Sequence, residues 1–231
     1  MSINITNENK SFLIRINEQV SQDLERHFYE IDRWASVIAR QLSKNQRFDS
    51  LGVSNEFETL KKLCAEYDDA KDKLSNDIVI PAATEKWGKF ANLSWSLNFT
   101  TCDVTVTYNG TVFQQKYESI AEVPDDVSDA LKKLSIEIAA YTEIYDKVIS
   151  QYPTIDTDSY KEFVKLKDDS EREYDERKMK VDAEYVSQYL AENSLAPEKC
   201  QWSLHYATKK IDLFETVSAE YFGTTTTESG T

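Results

Sequence analysis

The sequence predicts an α+β protein formed by tandem duplication of a unit with the order strand, strand, helix, helix, strand (ββααβ). Long antiparallel helical hairpins are expected to pack beside a mostly antiparallel sheet. Two observations predict this class: the phrase WSLNFTT at Trp95 recurs as WSLHYAT at Trp202, and paired long segments of helical periodicity are flanked by short alternating segments. We assign residues 1–101 to the first unit, 102–217 to the second unit with an added closing strand, and 218–231 to a polar tail.

The repeat extends well beyond the two tryptophans. A shift of 107 residues aligns 66–101 with 173–208 and gives 11 identities over 36 positions without a gap. This period is longer than a solenoid unit, so we interpret it as duplication of a small domain. Fused duplicates often derive from homodimers, and we therefore expect the two units to pack about a pseudo-two-fold axis.

Short alternating segments predict the strands that open each unit. In the first unit these segments are residues 3–6 and 12–16. In the second unit, Asn109-Gly110 separates an alternating segment from a second one at 112–117. Asn-Gly between alternating runs indicates a β-hairpin, because both central residues of a type I′ turn need positive φ.

Two long helices follow the strands of each unit. Pro124 is expected to precede the first helix of the second unit and Pro153 to follow it, while Pro81 should close the second helix of the first unit. Asp156 or Thr157 is expected to cap the last long helix. In the first helix of each unit, apolar residues recur in steps of three and four and form one core-facing stripe. The stripes are Val20, Leu24, Phe28, Ile31, Ala35, Ile38 and Leu42, and Val127, Leu131, Leu134, Ile138, Tyr141, Tyr145 and Val148.

The repeated phrase has the apolar–polar alternation of a half-buried strand. Trp95 and Trp202 fall on its apolar face. We therefore predict that the two tryptophans are equivalent core anchors that seal each helical hairpin against its sheet. The alternative is that they stack on a ligand.

Composition limits the classes of function. The formal net charge is −14 and the isoelectric point is about 4.7, which argues against binding to nucleic acid or to an anionic membrane surface. The amino terminus lacks the pattern of a signal peptide, so we expect a cytoplasmic protein. Cys64, Cys102 and Cys200 are an odd number without metal-type spacing, and we expect reduced thiols.

The sequence contains no Walker loop, dinucleotide fingerprint, HExxH motif or GxSxG motif. His27 and His205 align with Leu134 and Asn98 in the repeat, so the two units cannot build a symmetric histidine site. We therefore expect no cofactor, no metal and no catalytic residue. One exception keeps catalysis open: Glu30 and Glu137 are equivalent, and a two-fold axis could bring them together as a carboxylate pair.

These observations favour a non-enzymatic acidic adaptor or assembly protein that acts through protein–protein contacts. Asp125, Asp126 and Asp129 are the candidate partner-binding residues, and the partner would be another protein, which could be basic. Homo-oligomerisation is a further option. The alternative function is an acidic inhibitor of a nucleic-acid-binding protein, of the anti-defence or immunity type. A carboxylate-dependent hydrolase ranks third.

Overall fold

The computed structural model describes residues 11–87, 93–108 and 112–218. They form an α+β protein in which four long helices make a bundle and two three-stranded antiparallel sheets adjoin it. Residues 3–6, which were predicted to form a strand, and most of the predicted tail lie outside the described residues.

The first half of the chain contains one strand, a helical hairpin and a second strand pair. Asn17 begins the first long helix by accepting a hydrogen bond from the Gln19 amide at 2.8 Å, as N-cap residues do. The second helix continues without a break through a π-helical turn. The elements are β1 (Ser11–Arg15), α1 (Glu18–Ser43), α2 (Leu51–Leu74), the π turn (Ser75–Val79), α3 (Ile80–Trp87), β2 (Leu93–Asn98) and β3 (Asp103–Tyr108).

The second half has the same order of elements. Thr157 caps its second long helix by accepting a hydrogen bond from the Tyr160 amide at 3.2 Å, which confirms one of the two predicted caps. The elements are β4 (Val112–Glu122), α4 (Asp125–Gln151), α5 (Asp158–Val181), a second π turn (Asp182–Val186), α6 (Ser187–Glu192), a 3₁₀ turn (Pro197–Lys199), β5 (Cys200–His205) and β6 (Lys210–Ser218).

Apart from β1 and β4, the corresponding elements of the two halves begin 107 positions apart. This offset relates α1 to α4, α2 to α5, the two π turns to each other, and β2 to β5. It also relates individual contacts. Buried Ser21 donates to the Phe99 carbonyl, and buried Ser128 donates to the Tyr206 carbonyl, both at 3.5 Å. Residues 107 apart are therefore called equivalent positions.

The prediction that Pro81 closes the second helix is wrong. Pro81 is the second residue of α3, so only Ile80 separates it from the π turn. Proline has no amide hydrogen to donate within a helix, and a change of hydrogen-bond spacing just before it lets the chain remain helical. The equivalent π turn in the second half precedes Gln188 instead, so a proline is not required for the turn.

The prediction of a hairpin at Asn109-Gly110 is also wrong. β3 pairs with β1 and β2 in one sheet, whereas β4 pairs with β6 in the other sheet. The described elements of each half therefore follow the order βααββ rather than ββααβ, and the single mostly antiparallel sheet becomes two. β3, which was assigned to the second unit, thus belongs to the sheet that contains β1 and β2.

Three apolar clusters form the core. The central cluster joins residues of α1, α2, α4 and α5, and in it the Tyr141 ring stacks on Phe57 with centroids 4.7 Å apart. Each sheet has its own cluster against the nearby helices. The two halves therefore share one core in the bundle and keep separate cores at the sheets.

The first helices of the two hairpins run parallel with a stagger. Lys147 of α4 forms an ion pair with Asp32 of α1, and Gln151 Nε2 donates to Ser36 Oγ at 3.1 Å; both pairs are 115 positions apart. The partner numbers rise together, so the helices have the same direction. Equivalent residues are 107 apart, so α4 is displaced along α1 by about eight residues, or ~12 Å.

This stagger departs from the expected two-fold packing. A two-fold axis would repeat every contact reciprocally. Between α1 and α4, the hydrogen bonds formed by the described residues include no reciprocal pair. The two halves are therefore related in a one-sided, head-to-tail manner.

Candidate functional site

The contact between the halves consists of α4 lying in the groove between α1 and α2. Ala140, Ile144 and Val148 of α4 are buried in the same cluster as Ala35 and Leu42 of α1. A small cleft of about 180 Å³ remains beside this contact, lined by Ile31 of α1, by Cys64, Tyr67, Asp68 and Lys71 of α2, and by Ser135, Ile136, Ala139 and Glu143 of α4.

The face of α4 that is equivalent to this contact face of α1 is exposed. On α1 the contact face includes Asp32, which binds Lys147, and Ser36, which accepts from Gln151. The five equivalent positions on α4 are all exposed, although Ala139 and Glu143 also line the internal cleft beside α2. We call this face the α4 acidic surface; it comprises Ala139, Thr142, Glu143, Asp146 and Ile149.

The face of α1 that is equivalent to the contact face of α4 is also largely exposed. Arg40 is equivalent to Lys147, and Lys44 is equivalent to Gln151. Arg33, Arg40 and Lys44 are exposed, and the other two members of the face are partly exposed. We call this face the α1 basic surface; it comprises Arg33, Val37, Arg40, Gln41 and Lys44.

An open groove between α4 and α5 adjoins the α4 acidic surface. It has a volume of about 390 Å³ and is lined by Ser135, Ile138, Glu171, Tyr174 and Asp175. Three of these lining residues of α5 are equivalent to Cys64, Tyr67 and Asp68, which line the internal cleft. The groove is thus the second-half counterpart of the groove that α4 fills in the first half.

Two aromatic side chains extend the exposed face of α1. Phe28 is 45% exposed and Tyr29 is 61% exposed. Their rings contact each other with centroids 5.7 Å apart, and Phe28 also contacts Phe99. Tyr29 is equivalent to Ile136, which lines the internal cleft beside α2. The Tyr29 ring is therefore exposed at a position where the second half contacts the first half.

The electrostatics of the α4 acidic surface follow from its neighbours. Burial beside α2, and then the nearby Asp146 carboxylate, raise the pKa of Glu143 above its ordinary value. Lys147 acts in the opposite direction. A carboxylate in this setting gains from an added cation, because an opposite charge lowers the cost of ionising it.

The three aspartates predicted to bind a partner lie in the first two turns of α4. Lys209 of the β5–β6 turn donates to Asp125 at 2.6 Å. The hydrogen bond with Asp125, and then the charges of Asp125 and Asp129, raise the pKa of Lys209. The acidic charge at this helix end is therefore partly neutralised within the chain. The carboxylates of the first turn also interact favourably with the positive end of the helix dipole.

Glu30 and Glu137 have different surroundings. Glu30 forms an ion pair with Arg33 of its own helix at 3.5 Å. Glu137 accepts hydrogen bonds from Tyr141 at 3.2 Å and from Ser170 at 3.5 Å. The one-sided packing of α1 and α4 removes the two-fold axis that was expected to bring these carboxylates together.

The thiol of Cys64 lies in the wall of the internal cleft. Burial, and then the charges of Glu143 and Asp68, raise its pKa to about 12. A thiol is nucleophilic as its thiolate, so Cys64 acts as a packing residue at neutral pH. Cys102 is buried and Cys200 is partly buried, and neither forms a disulfide.

Trp95 and Trp202 are the third residues of β2 and β5 and lie at equivalent positions. Each is partly buried at the edge of the cluster of its own sheet. The Trp202 indole donates to Asp182 Oδ1 at 2.7 Å. The most buried tryptophan is Trp87, whose equivalent is Ser194, so the repeat did not reveal it.

Sequence reasoning missed a histidine–aspartate pair on the second sheet. His205 Nε2 lies 2.8 Å from Asp212 Oδ2, and Asp212 is buried. The Ser119 amide, in a bulge of β4 with positive φ, donates to Asp212 Oδ1 at 2.8 Å. This network secures the bulge to the β5–β6 hairpin. The seven-residue spacing of the pair across a turn was the available signal.

Among residues 11–87, 93–108 and 112–218, no group of three or more histidine, cysteine, aspartate or glutamate residues is arranged to hold a metal ion. None of the helices in this part of the chain combines the length and the apolar character needed to cross a membrane. No family model, no curated protein and no solved structure matches the chain.

Proposed function

We propose that this protein is a non-enzymatic adaptor or assembly protein that arose by tandem duplication and acts through protein–protein contacts. The observation that carries the proposal is the exposure, on each half, of a helix face whose equivalent on the other half is an interface. In this proposal, two exposed faces serve as preformed contact surfaces: the α4 acidic surface with its groove, and the α1 basic surface. Preformed surfaces bind without a large ordering cost.

The other two functions have weaker support. An acidic inhibitor that resembles nucleic acid needs a dense row of unpaired carboxylates, whereas Lys209 neutralises Asp125, one of the three candidate partner-binding aspartates. A carboxylate-dependent hydrolase needs two neighbouring carboxyl groups, whereas Glu30 pairs with Arg33 and Glu137 with Tyr141.

The proposal is tested by immobilising the wild type and two glutamate variants and comparing the proteins that each retains from a lysate of the source cells. Ile149→Glu introduces a charge into the α4 acidic surface at an exposed apolar residue. Leu51→Glu is the control, since Leu51 is the most exposed large apolar side chain among those described and begins a different helix. We expect the wild type and the Leu51 variant to retain the same proteins, and the Ile149 variant to lose them. Equal retention by all three would contradict a role for this surface.

A further inference from the structure

We propose that the occupant of the α4 surface and its groove is the first helix of a second copy of this chain, so that copies join head to tail. This inference rests on the proposed function and names its partner. Within one chain, the first hairpin receives α4 of the second hairpin. Between chains, the second hairpin would receive α1 of the next copy in the same manner.

Equivalence of the surfaces is the first argument. The α4 acidic surface repeats the positions by which α1 binds α4, and the α1 basic surface repeats the positions by which α4 binds α1. Each chain therefore contains one completed interface and the two unpaired halves of another. The open groove adds the matching site for Phe28 and Tyr29, because their equivalents Ser135 and Ile136 line the cleft against α2.

Charge complementarity is the second argument. The α4 acidic surface carries two acids, Glu143 and Asp146, and no base. The α1 basic surface carries three bases and no acid; Arg33 is paired with Glu30 of its own helix, which leaves Arg40 and Lys44 for the contact. The internal interface has the same polarity, because the acid Asp32 belongs to α1 and the base Lys147 to α4.

One specific ion pair follows from this equivalence. The internal hydrogen bond joins Gln151 to Ser36. At the interface between copies, the equivalent residues are Lys44 and Glu143. A lysine beside Glu143 favours the ionised carboxylate and so opposes the burial and the Asp146 charge that raise the pKa of this group.

The geometry of the internal contact predicts open growth. A head-to-tail contact closes into a ring only if successive copies are related by a pure rotation, with no translation along the rotation axis. Here successive hairpins advance by about 12 Å along the helix axis, from an eight-residue stagger at 1.5 Å per residue. Assembly should therefore continue beyond a dimer and form a filament.

Charge reversal on each surface tests the proposal by sedimentation velocity. One variant carries Arg40→Glu and Lys44→Glu, and the other carries Glu143→Lys and Asp146→Lys. All four residues are exposed. We expect the wild type to grow severalfold above its monomer mass of 26.6 kDa as concentration rises. Each variant alone should remain a monomer, because its two surfaces then have like charge.

Mixing the two variants should restore growth, because every contact between unlike variants again joins opposite charges. The chain with all four changes should also assemble alone. Since a misfolded variant would not be rescued, restoration separates a lost contact from a lost fold. A wild-type mass that stays at the monomer, or stops at a dimer, overturns the proposal, and so does a failure of the mixture to grow. If the wild type stays monomeric while Ile149→Glu still loses its captured proteins, the proposed function stands without self-assembly.

Discussion

The one-sided packing of the two hairpins makes a quantitative prediction about two equivalent residues, Leu42 and Ile149. The Leu42 side chain is 0% exposed at the end of α1, whereas Ile149 is 48% exposed at the end of α4. A two-fold arrangement would give these residues similar surroundings, and truncation of either would then have a similar cost. Head-to-tail packing instead predicts a large difference.

The expected costs follow from burial. Leu42→Ala removes a fully buried side chain and leaves a cavity in the bundle, which costs about 3 kcal/mol in the free energy of unfolding. Ile149→Ala removes a half-exposed side chain and leaves no enclosed cavity, so the transfer cost is about 1 kcal/mol. The better helix propensity of alanine offsets a few tenths of this value. The difference between the two variants should be about 2 kcal/mol.

Urea unfolding at low protein concentration measures both costs in the monomer. Far-ultraviolet circular dichroism follows the helices, and equal m-values for the wild type and both variants are needed before the free energies are compared. If Leu42→Ala and Ile149→Ala differ by less than about 0.5 kcal/mol, or if Ile149→Ala costs more, the two hairpins are not packed in the one-sided manner described.

Two further predictions concern single side chains. Trp202→Phe removes the hydrogen bond from the indole to the Asp182 carboxylate, and should cost about 1.5 kcal/mol more than Trp95→Phe in the same urea assay; equal costs would contradict a stabilising bond. Burial, and then Asp68 and Asp69, raise the pKa of Asp72 above its ordinary value of 3.8. The stability that the raised pKa of Asp72 contributes is fully present below pH 3.8, and it is lost as pH rises through the pKa of Asp72 in the folded state. Asp72→Asn should therefore gain stability relative to the wild type as pH rises from about 3.5 to 7, and a gain in the opposite direction would refute the shift.

Local signals in the sequence predicted most of the helices and the ends of several. The three-and-four spacing placed α1 and α4, and Thr157 was predicted as one of two caps because a hydroxyl before a helix can accept the first free amide. The alternation around Trp95 and Trp202 placed β2 and β5. These features depend on a few neighbouring residues, and such information is present in one chain.

Features that depend on distant partners were predicted wrongly. Asn109-Gly110 is a strong local hairpin signal and predicts that β3 pairs with the strand that follows it. Instead, β3 pairs with β1, which is distant in sequence, and with β2, which precedes β3. Phe28 belongs to the apolar stripe predicted for α1 but is 45% exposed. Periodicity shows that a helix has an apolar face, but it does not show which neighbour covers each part.

The sequence also did not predict correctly which side of α4 faces the core. The stripe predicted for α4 included Ile138 and Tyr145, which are only partly buried, whereas Ala140 and Ile144 lie outside that stripe and are buried. Equivalent sequences do not require equivalent surroundings, because two identical units can meet through the same patch on both or through different patches on each. The patches through which the units meet decide whether other contact surfaces remain exposed. The repeated sequence alone does not specify these patches.

The net charge of −14 bears directly on how such surfaces could join. Copies of an acidic chain repel each other at long range, and salt weakens that repulsion beyond a distance of about 8 Å at physiological ionic strength. Ion pairs at a contact, such as Lys44 with Glu143, act over shorter distances and are screened less. Added salt therefore reduces an attraction and a repulsion together, and its net effect does not identify the contact. Reversal of charge on one surface changes the contact selectively, and restoration by the opposite reversal on the other surface identifies the pair of surfaces that meet.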